Sequence, residues 1–165
     1  MNEILWDNDE KIFSQLTENS NKMYIKYLYE DYAGQSSELT AILQYTYQSI
    51  VVDNNKVKNL LKKISIDEMG HLEGLGTAIW DSGFDPRFWY MNYFNAKYVS
   101  YERDLEKILL KNIEDETFAA KRYREQAQNI NDPKIKYMLL KFAKDEERHA
   151  MLFEKAYNKL FGRSV

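Results

Sequence analysis

The chain contains no cysteine. That excludes disulfides, iron–sulfur clusters, zinc ribbons and thiol catalysis, and leaves nitrogen and oxygen as the only strong metal donors. Histidine occurs twice, proline twice and glycine six times in 165 residues. No apolar run approaches the length of a membrane span. Neither sign of charge dominates: 23 basic and 26 acidic residues are well mixed, net charge is -3, and no basic stripe points to nucleic acid. The opening residues MNEILWDNDEKIF are acidic and carry no export-signal pattern. The expectation is a cytoplasmic protein that binds neither membrane nor nucleic acid.

What is present is a balance of 44% hydrophobic and 30% charged residues, enough apolar side chains to bury the core of one domain. The few glycines and prolines divide it. After Gly34, helical periodicity runs over 36–52, and Asp53-Asn54-Asn55 reads as a turn. A second helix covers 56–81 and stops at Ser82-Gly83-Phe84-Asp85-Pro86. Residues 83–97 are aromatic and irregular, a crossover. A third helix covers 98–129. Asp132 and Pro133 then supply an N-cap and a first helical residue for a fourth, over 134–160. Residues 23–32 form either a short helix or the start of the first long one. Short turns make antiparallel hairpins of helices one and two and of helices three and four. The expected fold is all-α: one domain over 1–165, an antiparallel four-helix bundle with hairpins at 34–82 and 98–162 and a long crossover at 83–97.

The two hairpins repeat each other at an offset of 78 residues, without a gap from 38 to 71. Glu38, Ala41, Tyr45 and Gln48 fall on Glu116, Ala119, Tyr123 and Gln126. Asp67, Glu68 and His71 fall on Asp145, Glu146 and His149. Helical periodicity explains recurring apolar residues, but not recurring Glu, Asp, His and Tyr.

The spacing has chemical meaning. Glu68 and His71 share a helix face, as do Glu146 and His149. By accident, both histidines would have a glutamate at that offset in roughly one case in a hundred. About 15 residues down one helix and about 13 back up the next place Glu38 at the height of Glu68, and Glu116 beside Glu146. Face-to-face hairpins would gather four glutamates and two histidines at one level, the donor set of di-iron and di-manganese carboxylate bundles. Four ionised carboxylates balance two divalent ions. The expected metal ligands are therefore Glu38, Glu68, His71, Glu116, Glu146 and His149, holding two iron or manganese ions. Glu114 and Asp115 flank Glu116, and the repeat selects Glu116. Asp67 and Asp145, each four residues before a histidine, are expected to accept from the imidazole nitrogen not on metal. Tyr45 and Tyr123 either assist at the site as candidate catalytic residues or pack in the core with satisfied hydroxyls.

At these residues the chain resembles the ferritin-like superfamily. Glu-x-x-Ala-x-x-x-Tyr followed by Asp-Glu-x-x-His, twice, is similar to the rubrerythrin and bacterioferritin pattern. Glu68-Met-Gly-His71-Leu-Glu-Gly-Leu-Gly followed by Asp85-Pro86 is similar to non-haem manganese catalases and related spore-coat proteins. The resemblance implies the same six ligands, with Glu38, Glu68, Glu116 and Glu146 candidates to bridge or chelate. It departs from rubrerythrin in having no cysteine and in placing Ile113 where an extra glutamate stands. The expected function is a dinuclear non-haem oxidoreductase acting on hydrogen peroxide or dioxygen, catalase- or peroxidase-like. The peroxidase form would need an external electron donor. Alternatives are a ferroxidase or iron-storage protein, and a structural coat protein with a stabilising metal. A homodimer is expected from the aromatic crossover.

Overall fold

A computed structural model describes residues 24–162. The acidic opening residues lie outside that range.

A short helix, α1 (Ile25–Ala33), precedes the bundle and is separate from the next, α2 (Glu38–Val51). The break is local and steric. Gly34 N–H donates to the Glu30 carbonyl at 2.8 Å, and a Cβ on Gly34 would lie 2.5 Å from that same oxygen. The close approach admits only glycine. Ser37 then caps α2 by accepting from Thr40 N–H. α3 (Asn55–Asp81) follows a three-residue turn and is capped by Asn54.

The crossover is longer than its aromatic stretch. It carries a two-stranded ribbon, β1 (Trp89–Tyr90) and β2 (Asn92–Tyr93), turning at Met91 with φ 60, and a 3-10 turn (Ala96–Tyr98). Residues 99–104 stay extended, so the third bundle helix, α4 (Leu105–Asn129), begins seven residues after Tyr98. Its N-cap is Asp104, which accepts from Lys107 N–H at 3.0 Å. α5 (Pro133–Phe161) starts as its sequence indicates, with Asp132 as cap and Pro133 in the first turn, and ends at Gly162 with φ 66. Among the described residues no helix is long and apolar enough to cross a membrane.

The core is two apolar masses with a polar layer between them. One gathers α1, Leu75 and Ile79 of α3, Tyr123 and Ala127 of α4, and Leu139 and Phe142 of α5. The other gathers Tyr45 and Val52 of α2, Leu61 and Ile64 of α3, Ile108 and Leu109 of α4, and Phe153 of α5. Glu68 and His71 fall between Ile64 and Leu75 on α3, and Glu146 and His149 fall between Phe142 and Phe153 on α5. Hydrophobic burial on both sides therefore drives these polar groups inside.

Candidate metal centre

All six expected ligands meet in that layer, and each is at most 5% exposed. One set of donor atoms comes from Glu38, Glu68, His71 and Glu146. A second comes from Glu68, Glu116, Glu146 and His149. Within each set the atoms lie within 4.8 Å of one another. Glu68 and Glu146 belong to both.

The four glutamates are not equivalent. Glu68 presents Oε2 to His71 Nδ1 at 2.9 Å and Oε1 to His149 Nδ1 at 3.0 Å. Glu146 does the same with Oε1 and Oε2, at 3.0 Å each. Glu38 faces only His71, at 3.8 Å, and Glu116 only His149, at 3.6 Å. Glu68 and Glu146 thus span both histidines, whereas Glu38 and Glu116 close the two ends. Glu68 Oε1 and Glu146 Oε1 also accept no well-directed hydrogen bond among the described residues. Buried carboxylate oxygens in that condition suit a cation better than a neutral donor.

Without a cation the layer binds protons instead. Burial pushes Glu38 and Glu116 well above the usual carboxylate range, and the charges of Glu68 and Glu146 push the same way. Burial alone would depress His149, but the carboxylates of Glu116, Glu146 and Glu68 override it and push it up to about 12. His71 is raised in the same way by Glu146, Glu38 and Glu68. Glu146 is held down to about 2 against burial, by the hydrogen bond with His149 and the close approach of His71.

The supporting contacts cross between hairpins. Asp67 Oδ2 lies 3.3 Å from His149 Nε2, and Asp145 Oδ2 lies 3.5 Å from His71 Nε2. Each aspartate serves the histidine of the other hairpin, not the one four residues along its own helix. The cause is directional. On one helix face the i,i+4 neighbour lies above, while the outward Nε2 edge faces the neighbouring helix. Arg148 ties the two aspartates together, with Nη2 at 3.1 Å from Asp67 and 3.1 Å from Asp145. The tyrosines cross as well. Tyr45 donates to Glu116 Oε1 at 2.5 Å, and Tyr123 donates to Glu38 Oε1. Both hydroxyls are satisfied inside the core, and burial next to carboxylates raises both phenols well above their ordinary range.

Two further polar clusters border the layer. Gln44 and Gln48 of α2 both donate to Asn112 Oδ1 of α4, and Asn112 donates back to Gln48 at 2.8 Å. Gln44 also accepts from Ser100 N–H, fixing the crossover. On the other side Asp31 of α1, fully buried, lies 2.9 Å from Arg122 Nε and accepts from Gln126 at 3.2 Å. Burial pushes Asp31 up to about 7 in spite of Arg122. The Gln48–Gln126 repeat was the one sequence signal for these clusters; nothing marked Asp31, Arg122 or Asn112.

A cavity of about 160 Å³ reaches the layer between α2 and α4. Gln35, Lys111 and Phe118 line its exposed part, and Glu38, Glu68, Glu116 and Glu146 its floor. It has room for a few water-sized molecules.

Known proteins are similar to this chain in sequence and in fold. The family described as "Manganese containing catalase" matches residues 9–81, and the family described as "Rubrerythrin" matches residues 107–165. A probable manganese catalase of Clostridium acetobutylicum is 27% identical, over 87% of this chain and 74% of its own. Protein CotJC of Bacillus subtilis is 26% identical, over 92% of this chain and 93% of its own. The crystal structure of a manganese catalase from Anabaena PCC7120 superposes with a TM-score of 0.77 at 28% identity, over 86% of this chain and 74% of that one. A bacterioferritin from Desulfovibrio desulfuricans has the same fold, with a TM-score of 0.73 at 21% identity.

Proposed function

From a chain that belongs to the ferritin-like superfamily, related to the manganese catalases and rubrerythrins, we propose a dinuclear non-haem oxidoreductase that disproportionates hydrogen peroxide. Two carboxylates that each face both histidines carry this reading. Glu68, Glu146, Glu38 and His71 would hold one manganese or iron ion, and Glu68, Glu146, Glu116 and His149 the other. Four carboxylates against two divalent ions make the buried layer neutral. When bound, the pair of ions supplies two-electron redox chemistry and Lewis acidity.

The protein's own residues prepare that chemistry. The apolar masses above and below keep bulk water out and strengthen every charge interaction in the layer. Tyr45 and Tyr123 hold Glu116 and Glu38 in place by donating to one oxygen of each, leaving the other oxygen turned inward. Asp67 and Asp145 fix the rings so that Nδ1 faces the carboxylates. The cavity has room for a molecule of peroxide size. Catalase chemistry suits a site of that size, because peroxide serves as both oxidant and reductant and no external donor need enter.

The test is an oxygen electrode. Metal-free protein reloaded with Mn²⁺ should release oxygen from hydrogen peroxide with no added donor. Failure to release oxygen, together with rapid oxidation of added Fe²⁺ by dioxygen, would replace this reading with a ferroxidase. The crossover leaves Phe88, Met91 and Tyr93 about half exposed, at 46%, 55% and 55%. That apolar surface supports a homodimer, which light scattering after size exclusion would measure.

A further inference from the structure

The duplicated framework is not electrostatically symmetric. At the offset of 78, Arg122 takes the place of Gln44 and Gln126 the place of Gln48. On the Gln44 side the buried part of the cluster is uncharged, two glutamines and Asn112, and the only charges Gln44 reaches are those of the part-exposed Asp115–Lys111 pair, among the described residues. On the Arg122 side the glutamine is kept, but a guanidinium and a carboxylate replace the other two amides. Arg122 is largely enclosed, with 13% of its side chain exposed, and Asp31 is completely enclosed. The guanidinium carbon lies 5.6 Å from the ring centre of Tyr123, whose hydroxyl holds Glu38. Arg122 also lines the cavity whose floor includes Glu38. Burial works against its charge, and Asp31, Tyr123 and Glu38 together sustain it. Asp31, on α1, pairs with the guanidinium at 2.9 Å and accepts from Gln126, both of them on α4.

Resting on the dinuclear reading above, we propose that the Asp31–Arg122 pair makes the two cation positions unequal, so that the Glu116/His149 position fills first and the Glu38/His71 position second. The cause is Coulombic. A fixed positive group beside Glu38 competes with a metal ion for the same carboxylate charge, and low-dielectric surroundings keep that competition strong. Asp31 offsets the effect in part, since its carboxylate lies 2.9 Å from the guanidinium. Beside Glu116 the buried amides of Gln44, Gln48 and Asn112 carry no charge, and the Asp115–Lys111 pair that Gln44 reaches is part-exposed, so solvent screens it. Asp31 and Arg122 are positioning residues in this scheme. They touch no substrate and act through Glu38 and Tyr123.

Calorimetric titration of Mn²⁺ into the metal-free full chain tests this directly. Wild-type protein should bind two ions per chain in two steps, separated by at least about tenfold in Kd. H71A should keep the tight step and lose the weak one, and H149A the reverse. D31N leaves the guanidinium unopposed and should widen the gap by weakening the second step. The double variant D31N/R122Q rebuilds the neutral amide trio of the other side, and its two steps should converge on those of identical sites. At one equivalent of Mn²⁺, wild type should give the paramagnetic resonance spectrum of isolated Mn²⁺, and the double variant a larger share of spin-coupled pairs. A purely structural role would weaken both steps together in every variant, which would overturn the proposal. Two ions bound with equal affinity in wild type, or a gap that neither D31N nor D31N/R122Q alters, would overturn it while leaving the dinuclear reading intact. A wild-type chain that binds no Mn²⁺ or Fe²⁺ would overturn both.

Discussion

Asp67 on α3 lies 3.3 Å from the Nε2 of His149 on α5, and so steadies a histidine of the opposite hairpin. Its counterpart Asp145 reaches His71 in return, and Arg148 joins the two. The layer is therefore one cross-braced unit rather than two adjacent half-sites.

Removing Arg148 should loosen both imidazoles at once. In R148A, both bound ions should be released to a competing chelator at lower concentration, with affinity reduced roughly 10–100-fold. D67N should affect mainly the ion beside His149. Chelator competition followed optically reads both, and an R148A protein with wild-type retention of both ions would show that the arginine is merely a surface charge.

Each histidine should account for one ion. H71A and H149A should each bind about one Mn²⁺ per chain instead of two, as read by elemental analysis after gel filtration. Retention of two ions in either variant would remove that histidine from the ligand set.

Metal should also stabilise the fold. With free Mn²⁺ at a hundred times its Kd, linkage adds about 2.7 kcal/mol to unfolding. A thermal melt with and without chelator should show a clear drop in Tm for the stripped protein. Identical melts would mean that the layer binds no ion in the folded state.

The stripped protein should lose stability as pH rises. Glu38, Glu116, His71 and His149 all have folded pKa values above their ordinary ones. Each binds its proton more tightly when folded, so its contribution is full below the unfolded pKa and declines above it. For the glutamates the decline begins near 4.5, and for His149 it runs from 6.5 up to about 12. Glu146, held down to about 2, acts oppositely and costs stability only as pH falls from 4.5 toward 2. Melts of the stripped protein between pH 5 and pH 9 (about four units of pH, spanning the His window) should show Tm falling throughout. Loaded protein should show a flatter profile, because metal replaces those protons. A stripped-protein Tm that rises over that range would contradict the assignment.

Tyr45 and Tyr123 divide the work of holding Glu116 and Glu38. In the metal-free proteins, where Glu116 and Glu38 hold protons, Y45F and Y123F should each cost about 0.5–1.5 kcal/mol, the range for a hydrogen bond between uncharged groups. In denaturant melts of the metal-free proteins the two costs should be similar. A loss of oxygen release far beyond any loss of bound metal would assign the phenol a catalytic part as well.

Much of this centre is legible in the sequence because it is duplicated. Glu38, Glu68, His71 and their copies recur where apolar periodicity gives no reason for them. The helices of each hairpin are bounded by short turns with clear caps, Asn54 and Asp132. What stays hidden is everything that depends on which helix faces which. Asp67 and Asp145 look like partners of their own helix neighbours, because sequence distance does not register a contact across 82 residues. The start of α4 is obscured for another reason. Residues 99–104 hold helix-compatible side chains, yet Ser100 N–H is taken by Gln44 Oε1, a tertiary bond that keeps the segment out of the helix. Asp31 and Arg122 are 91 residues apart and have no charged copy in the other hairpin, so no repeat reveals them.

Gly70 stands where the duplication would place a second Arg148, and a Cβ there would meet nothing within 4 Å. One guanidinium does for both aspartates what a symmetric pair of hairpins would do with two. Because the aspartates and tyrosines each reach across to the other hairpin, a lone hairpin cannot assemble this layer by itself. Two identical hairpins meeting as separate chains would carry every substitution on both sides. Within one chain the halves are free to differ, as Gly70 does from Arg148 and Gln44 from Arg122.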